Sequence, residues 1–183
     1  MLEAGLVRSD DDLETILHLQ KQNLKANITA EEKSSQGFVT MQHNLKLLQD
    51  FHRLSPSIVV RNGHEVVGYA LVVPLAGRAL HPSLEPMFAN LSQIQWKGRP
   101  LYDYRFYIMG QVCVAKAWRG KGVFDTLYRA HREFMSKDND FVITEVSTSN
   151  LRSMRAHERV GFQTVFRRRD ELDDWAVVLW DWR

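Results

Sequence analysis

The sequence predicts an α/β (α+β) protein built on a mixed, mostly antiparallel sheet of seven strands with helices on both faces. Three observations lead there. Ile58-Val59-Val60 and an apolar run at 65–73 flank Asn62-Gly63, the strongest short signal for an antiparallel hairpin. An apolar run at 107–114, an amphipathic helix and a second apolar run at 141–146 form a strand–helix–strand unit. Two more runs, 163–168 and 175–182, close the chain as the final strands.

Taken in order, residues 2–7 read as the first strand. Ser9, followed three residues later by Asp12, makes a capping box and starts a helix reaching about residue 24. A second helix is expected at 41–54 with Thr40 as its cap. The hairpin follows, and then a long connection, 75–102, before the central strand. A connection of that length inside a compact domain is usually functional or disordered. Its apolar residues Leu84, Met87, Phe88 and Trp96 need something to cover, so we expect order, a short helix at 83–94, and one wall of a binding cavity. A surface flap or a homodimer contact is the competing use. Beyond the central strand, Phe124, Leu127, Tyr128, His131, Phe134 and Met135 recur on one helical face, with Asp125, Arg129, Arg132, Glu133 and Lys137 opposite.

A chain of 183 residues supports one sizeable core and is short for two, so one domain over 1–183 is expected, with 75–102 inserted between the third and fourth strands. The net charge is only +2 and no basic stripe exists, which argues against a nucleic-acid partner. Arg167-Arg168-Arg169 is the one local cluster. Asp170, Glu171, Asp173 and Asp174 answer it, and it reads as a solvated hairpin turn. The longest apolar stretch, 66–76, is too short to cross a membrane and contains Gly68 and Pro74. The lone cysteine, Cys113, cannot form an internal disulfide and sits in an apolar strand, as a packed thiol does. With Asp10-Asp11-Asp12 in place of a basic-then-apolar leader, a reducing, cytoplasmic setting is expected.

The chemistry concentrates in two segments. The first is Arg119-Gly120-Lys121-Gly122-Val123-Phe124, placed between a strand and a helix. Glycines let backbone approach a phosphate, and the first N–H groups of the helix point at it. Arg119 and Lys121 add positive charge to the helix dipole. A Walker loop fails, because Ala115 stands where its first glycine belongs and Gly122 where Ser or Thr belongs. A dinucleotide fingerprint fails too, since Asp125 replaces its third glycine. The second segment runs from Asn150 to Gly161-Phe162. At helical spacing Asn150, Ser153, His157 and Val160 share one face, and Arg152, Arg155 and Arg159 the other.

Both segments resemble the GNAT N-acetyltransferase superfamily. Arg119-Gly120-Lys121-Gly122-Val123 matches its Arg/Gln-x-x-Gly-x-Gly/Ala pyrophosphate loop, and Phe124 departs where Gly or Ala is usual. Asn150, the small Ser153 and Gly161-Phe162 match its later motif, and His157 takes the place of the usual Tyr. The resemblance implies the GNAT fold, acetyl-CoA as cosubstrate, no metal, and acetyl transfer by direct attack to an amine, here expected to be a small molecule. It implies that backbone groups of Val112, Cys113 and Val114 pair with the pantetheine arm where the strands after Tyr107 and Phe141 splay. The loop Arg119, Gly120, Lys121, Gly122, Val123 and Phe124 would take the pyrophosphate, with Asn150 and Ser153 beside the arm. Asn150 capping its own helix is an equal reading.

Two proton-transfer roles remain. His157 is the candidate acid for the departing thiolate, against a packed histidine bonded to a carbonyl. Glu145 is the candidate base, against a surface salt bridge. Tyr107 and Gln111, four residues apart on one strand, would share a face bordering the acceptor. A CoA-binding sensor or interaction module is the alternative to an enzyme, supported by the departures at Phe124 and His157.

Overall fold

The computed structural model describes residues 1–171 and 173–183. In chain order it has β1 (Leu2–Leu6), α1 (Asp10–Asn23), α2 (Ala30–Ser35), α3 (Leu45–Leu54), β2 (Ile58–Asn62), β3 (Glu65–Val73), α4 (Glu85–Ala89), β4 (Gln95–Trp96), β5 (Arg99–Pro100), β6 (Phe106–Val114), α5 (Val123–Met135), β7 (Phe141–Ser147), α6 (Leu151–Val160), β8 (Gln163–Arg169) and β9 (Asp174–Asp181). Seven strands form one sheet in the order β1-β2-β3-β6-β7-β9-β8, and β4-β5 is a separate small hairpin. Every pair in the large sheet is antiparallel except β6 with β7, the pair that α5 connects. The mixed, mostly antiparallel sheet expected from the sequence is therefore the one observed.

Strand alternation divides the core in two. Tyr69, Leu71, Val73, Ile108 and Ile143 face α1, α3 and the 75–102 connection, whose Leu84, Phe88, Leu91, Ile94 and Leu101 are buried there. Val67, Tyr107, Val142 and Val178 face α5, which contributes Val123, Leu127 and Tyr128. Helices thus cover both faces.

Several local expectations change. Ser9 accepts the Asp12 N–H at 3.4 Å, but the Asp12 carboxylate takes the Arg8 N–H and the Arg61 guanidinium instead of closing the box. The second long helix starts at Leu45 with Asn44 as its cap, accepting the Leu47 N–H at 2.9 Å. A complete capping box stands earlier, Thr29 with Glu32, on the short α2. The segment 83–94 is a chain of single turns, interrupted where Pro86 sits in the first turn of α4. On α5 Phe134 is 40% exposed, so the buried face is Val123, Leu127, Tyr128, Ala130 and His131.

The consequential change lies in β6. Its register against β3 shifts between Val112↔Ala70 and Met109↔Val72, so Gly110 and Gln111 together oppose Leu71. A bulge reverses which side chains face which way beyond it. Tyr107 accordingly lies under α5, its hydroxyl 2.6 Å from His131 Nδ1, and is not a cavity residue. Gln111 lies on the opposite face, 2.6 Å from the Tyr69 hydroxyl. The expected shared face does not exist.

Candidate active site

β6 and β7 pair only from Phe106↔Phe141 to Ile108↔Ile143. Beyond Ile108 the two strands separate, bridged once by the Thr144 hydroxyl donating to the Met109 carbonyl at 2.7 Å. Two cavities lie along the gap and share Phe38, Val39, Val112, Asn150 and Ser153.

The larger has a volume of about 690 Å³. Val112, Cys113, Val114, Arg119, Gly120, Gly122, Val123, Phe124, Asn150 and Ser153 all line it, together with Ser34, Ser35, residues 37–39 and the arginines of α6. Gly120 and Gly122 have φ of +74° and +80°, and a Cβ at either would meet open space. No side chain caps α5, so its first-turn N–H groups point outward unclaimed by any cap. Two left-handed glycines before an uncapped helix start have the geometry an anion would use. Lys121 does not line the cavity; its ammonium lies 5.1 Å from the Trp118 ring. Arg119 is engaged elsewhere: its guanidinium donates to Asn23 Oδ1 at 2.6 Å and to the Gly37 carbonyl at 3.2 Å, pinning the 36–38 segment. Arg152 reaches the same segment through Gln36 at 2.6 Å, and Arg159 pairs with Asp125 at 2.7 Å. Phe124 does not crowd the loop. It turns toward α6, its ring 4.8 Å from Tyr128 and 5.2 Å from His157. Burial pushes the Cys113 thiol up to about 12, so it is an inert packed thiol at neutral pH.

The smaller cavity, about 210 Å³, holds both candidate proton-transfer residues. Its apolar walls include Phe38, Met41, Met87, Met109 and Trp175, and the 75–102 connection contributes Leu84, Pro86 and Met87. Glu145 is bound by Arg168 through Nε at 2.8 Å and Nη2 at 2.7 Å, and Arg168 also donates to Asp170. This bridge is buried, not on the surface. The arginine triplet is likewise not a solvated turn: period-two alternation along β8 turns Arg168 inward, its side chain 12% exposed, while Arg167 and Arg169 face out. Burial raises the Glu145 carboxyl above its ordinary value, with Arg168 opposing.

His157 is fully enclosed. Its Nδ1 lies 2.8 Å from the Ser153 carbonyl, which only accepts, so Nδ1 carries the proton and donates. Nε2 is then the acceptor for the Tyr128 hydroxyl at 2.7 Å. Burial lowers its pKa to about 4, and no N–H remains for another partner. Asn150 caps α6 by accepting the Ser153 N–H at 3.2 Å and donates to the Phe38 carbonyl at 3.1 Å. Ser153, Asn150, Val112, Phe38 and Val39 line both cavities and form their junction.

Sequence reasoning missed His43, Gln20, Arg168 and Asp170. His43 lies on the loop before α3, and Gln20 on α1; neither belongs to a motif. For Arg168 the signal was its even spacing within a strand. Among the described residues no group of three or more His, Cys, Asp or Glu is placed to hold a metal ion, and no helix is long and apolar enough to cross a membrane.

The fold is a seven-stranded mixed sheet split at its parallel pair, with a glycine-rich cavity and a polar cavity meeting at the split. The chain belongs to the acetyltransferase (GNAT) family, whose profile matches residues 24–162. No curated protein sequence matches it significantly. Among solved structures it is similar to the ribosomal-protein-alanine N-acetyltransferase from Escherichia coli, with TM-score 0.63 and 11% identity over 99% of this chain and 94% of that one. It is similar to YncA from Salmonella typhimurium, solved with acetyl-CoA, with TM-score 0.63 and 14% identity over 100% and 94%. A spermidine N-acetyltransferase chimera from Vibrio cholerae and hSSAT gives TM-score 0.62 and 15% identity over 98% and 95%. At these identities the likeness concerns the fold.

Proposed function

We propose that this protein is an acetyl-CoA-dependent N-acetyltransferase that acetylates the primary amine of a small molecule by direct attack. The observation that carries this reading is the meeting of two cavities at Val112, Asn150 and Ser153, beside the bulge of β6. The larger fits acetyl-CoA by its residues: an uncapped helix start and two glycines for the pyrophosphate, and an unpaired edge of β6 at Val112, Cys113 and Val114 for the amides of the arm. Acetyl-CoA supplies the activated thioester; the protein's residues orient and desolvate it and manage protons. The smaller cavity, about 210 Å³, is below the usual span of small-molecule pockets and suits a compact amine.

Two carboxylates, Glu145 and Asp170, stand against one guanidinium, Arg168, so this side carries one excess negative charge and attracts an ammonium ion. Glu145, made more basic by burial, takes the ammonium proton. The freed lone pair forms the N–C bond, the C–S bond breaks, and the second proton of the acylated nitrogen passes to the departing sulfur or to solvent, giving the amide and free CoA. His157 has no N–H to give the sulfur. It acts as a positioning residue that holds Ser153, whose hydroxyl on the shared wall donates a hydrogen bond to the thiolate. Full protonation there is not required, because a thiol's ordinary pKa of about 8.5 makes thiolate a competent leaving group. Thiol release from acetyl-CoA against an amine panel tests the reading. Protein that binds acetyl-CoA yet releases no thiol with any amine would overturn it.

A further inference from the structure

The smaller cavity has a polar lining residue that the transfer chemistry does not use. That residue is His43, 6% exposed, on the loop that precedes α3. Its surroundings fix its tautomer without ambiguity. Gln20 Oε1 accepts the His43 backbone N–H at 2.7 Å, so the other end of that amide is the NH₂. Those two hydrogens have two acceptors: His43 Nδ1 at 2.7 Å and Gln111 Oε1 at 2.8 Å. Gln111 is fixed in turn, because its Oε1 takes the Tyr69 hydroxyl and its Nε2 donates to the Met41 carbonyl at 2.8 Å. His43 Nδ1 therefore bears no proton, and Nε2 does. Burial, and then His81, lower the ring's pKa to about 4, so it stays neutral. Nε2–H has no protein partner among the described residues, and it is not one of the sealed, unsatisfied atoms of the interior.

The cavity lining thus combines a neutral N–H donor with an excess negative charge. Resting on the acetyltransferase reading above, we propose that His43 is a specificity-determining residue: its Nε2–H binds an uncharged oxygen of the acceptor, an amide carbonyl or a hydroxyl. The acceptor class is an amine carrying such an oxygen and an apolar group. A free carboxylate is disfavoured, because Glu145 and Asp170 outnumber Arg168 across the cavity. Met41, Met87 and Met109 receive the apolar group.

The test compares leucinamide, isoamylamine and leucine as acceptors, which share a side chain and differ at the oxygen. Wild type should show kcat/KM at least about tenfold higher for leucinamide than for either other amine, the worth of one hydrogen bond in a buried site. His43→Asn keeps an acceptor for Gln20 in the Nδ1 position and removes the outer N–H. It should lose about tenfold on leucinamide relative to isoamylamine, so that the ratio of the two kcat/KM values falls toward one. His43→Phe is the second variant, with circular dichroism and melting curves confirming that each folds. In parallel, ¹⁵N-labelled histidine reports the tautomer directly, and leucinamide should shift the Nε2–H resonance. A proton found on Nδ1, an unmoved Nε2–H signal, or equal turnover of leucinamide and isoamylamine would overturn the proposal. Equal turnover leaves the acetyltransferase reading standing, whereas acetyl-CoA binding without transfer to any amine condemns that reading instead.

Discussion

Lowering the pH from 7.5 to 5 should cost this fold far more stability than an ordinary surface would lose. His43, His131 and His157 are buried, with pKa values lowered to about 4, 3 and 4, burial being the first cause in each. His131 has an Nε2 with no partner among the described residues, so nothing there welcomes a second proton. In the unfolded chain each returns to about 6.5. The folded values are depressed, so the unfolded state binds more protons below that pH. Stability is intact above about pH 6.5 and drains as pH falls toward the folded values. Between pH 7.5 and 5 each histidine contributes roughly 2 kcal/mol of loss, about 6 kcal/mol for the three, at a limiting slope near 4 kcal/mol per pH unit. The lowered carboxylates, Glu32, Glu85, Asp173 and Asp181, lose their contribution at more acid pH than this window, whereas Glu145, raised by burial, protonates more readily in the fold and offsets part of the loss. Urea unfolding at stepped pH values measures the slope, and His131→Phe should reduce it by about one third. A loss under about 2 kcal/mol across the window would refute the view that these rings are buried and neutral.

Gly122→Glu places bulk and negative charge in the anion cradle at a left-handed position and should weaken acetyl-CoA binding about tenfold or more; unchanged calorimetric affinity in a folded variant would remove the loop from the site. Glu145→Gln keeps a partner for Arg168 but cannot accept a proton, so kcat should fall about 10²–10⁴-fold at unchanged acetyl-CoA affinity, and a kcat within about twofold of wild type would end the base role. Deleting the 75–102 connection is a poor probe, because Leu84, Phe88, Leu91 and Ile94 are core. Met87→Trp fills the smaller cavity instead and should raise the acceptor KM about tenfold with acetyl-CoA affinity intact; an unaltered KM would show that this wall does not meet the acceptor.

What the sequence made legible is what local rules control. Asn62-Gly63 announces its hairpin, and Gly120 with Gly122 announces a left-handed loop before a helix start, because positive φ and an uncapped helix start are properties of a few consecutive residues. The bulge at Gly110 and Gln111 was not legible. It arises from pairing with β3, forty residues away, and it alone separates Tyr107 from Gln111. The tautomers of His43 and His157 are set by Gln20, Ser153 and Tyr128, which only the folded chain assembles. Spacing placed His157 at the motif's proton-donor position, and burial then engaged both of its nitrogens.

The triplet on β8 has one more consequence. β8 is an outer strand of the sheet, with one flank unpaired. Such a flank invites a strand from another molecule, and outward charges discourage that docking. Arg167 and Arg169 project into water on either side of the inward Arg168, and the ladder is further distorted between Thr164 and Phe166. Three consecutive arginines therefore divide two tasks by parity alone. The middle one neutralises a buried carboxylate, and its neighbours guard the fold against self-assembly into fibrous β-structure. Replacing the outer pair with valine would leave the cavity's electrostatics untouched while turning this flank into a sticky seam.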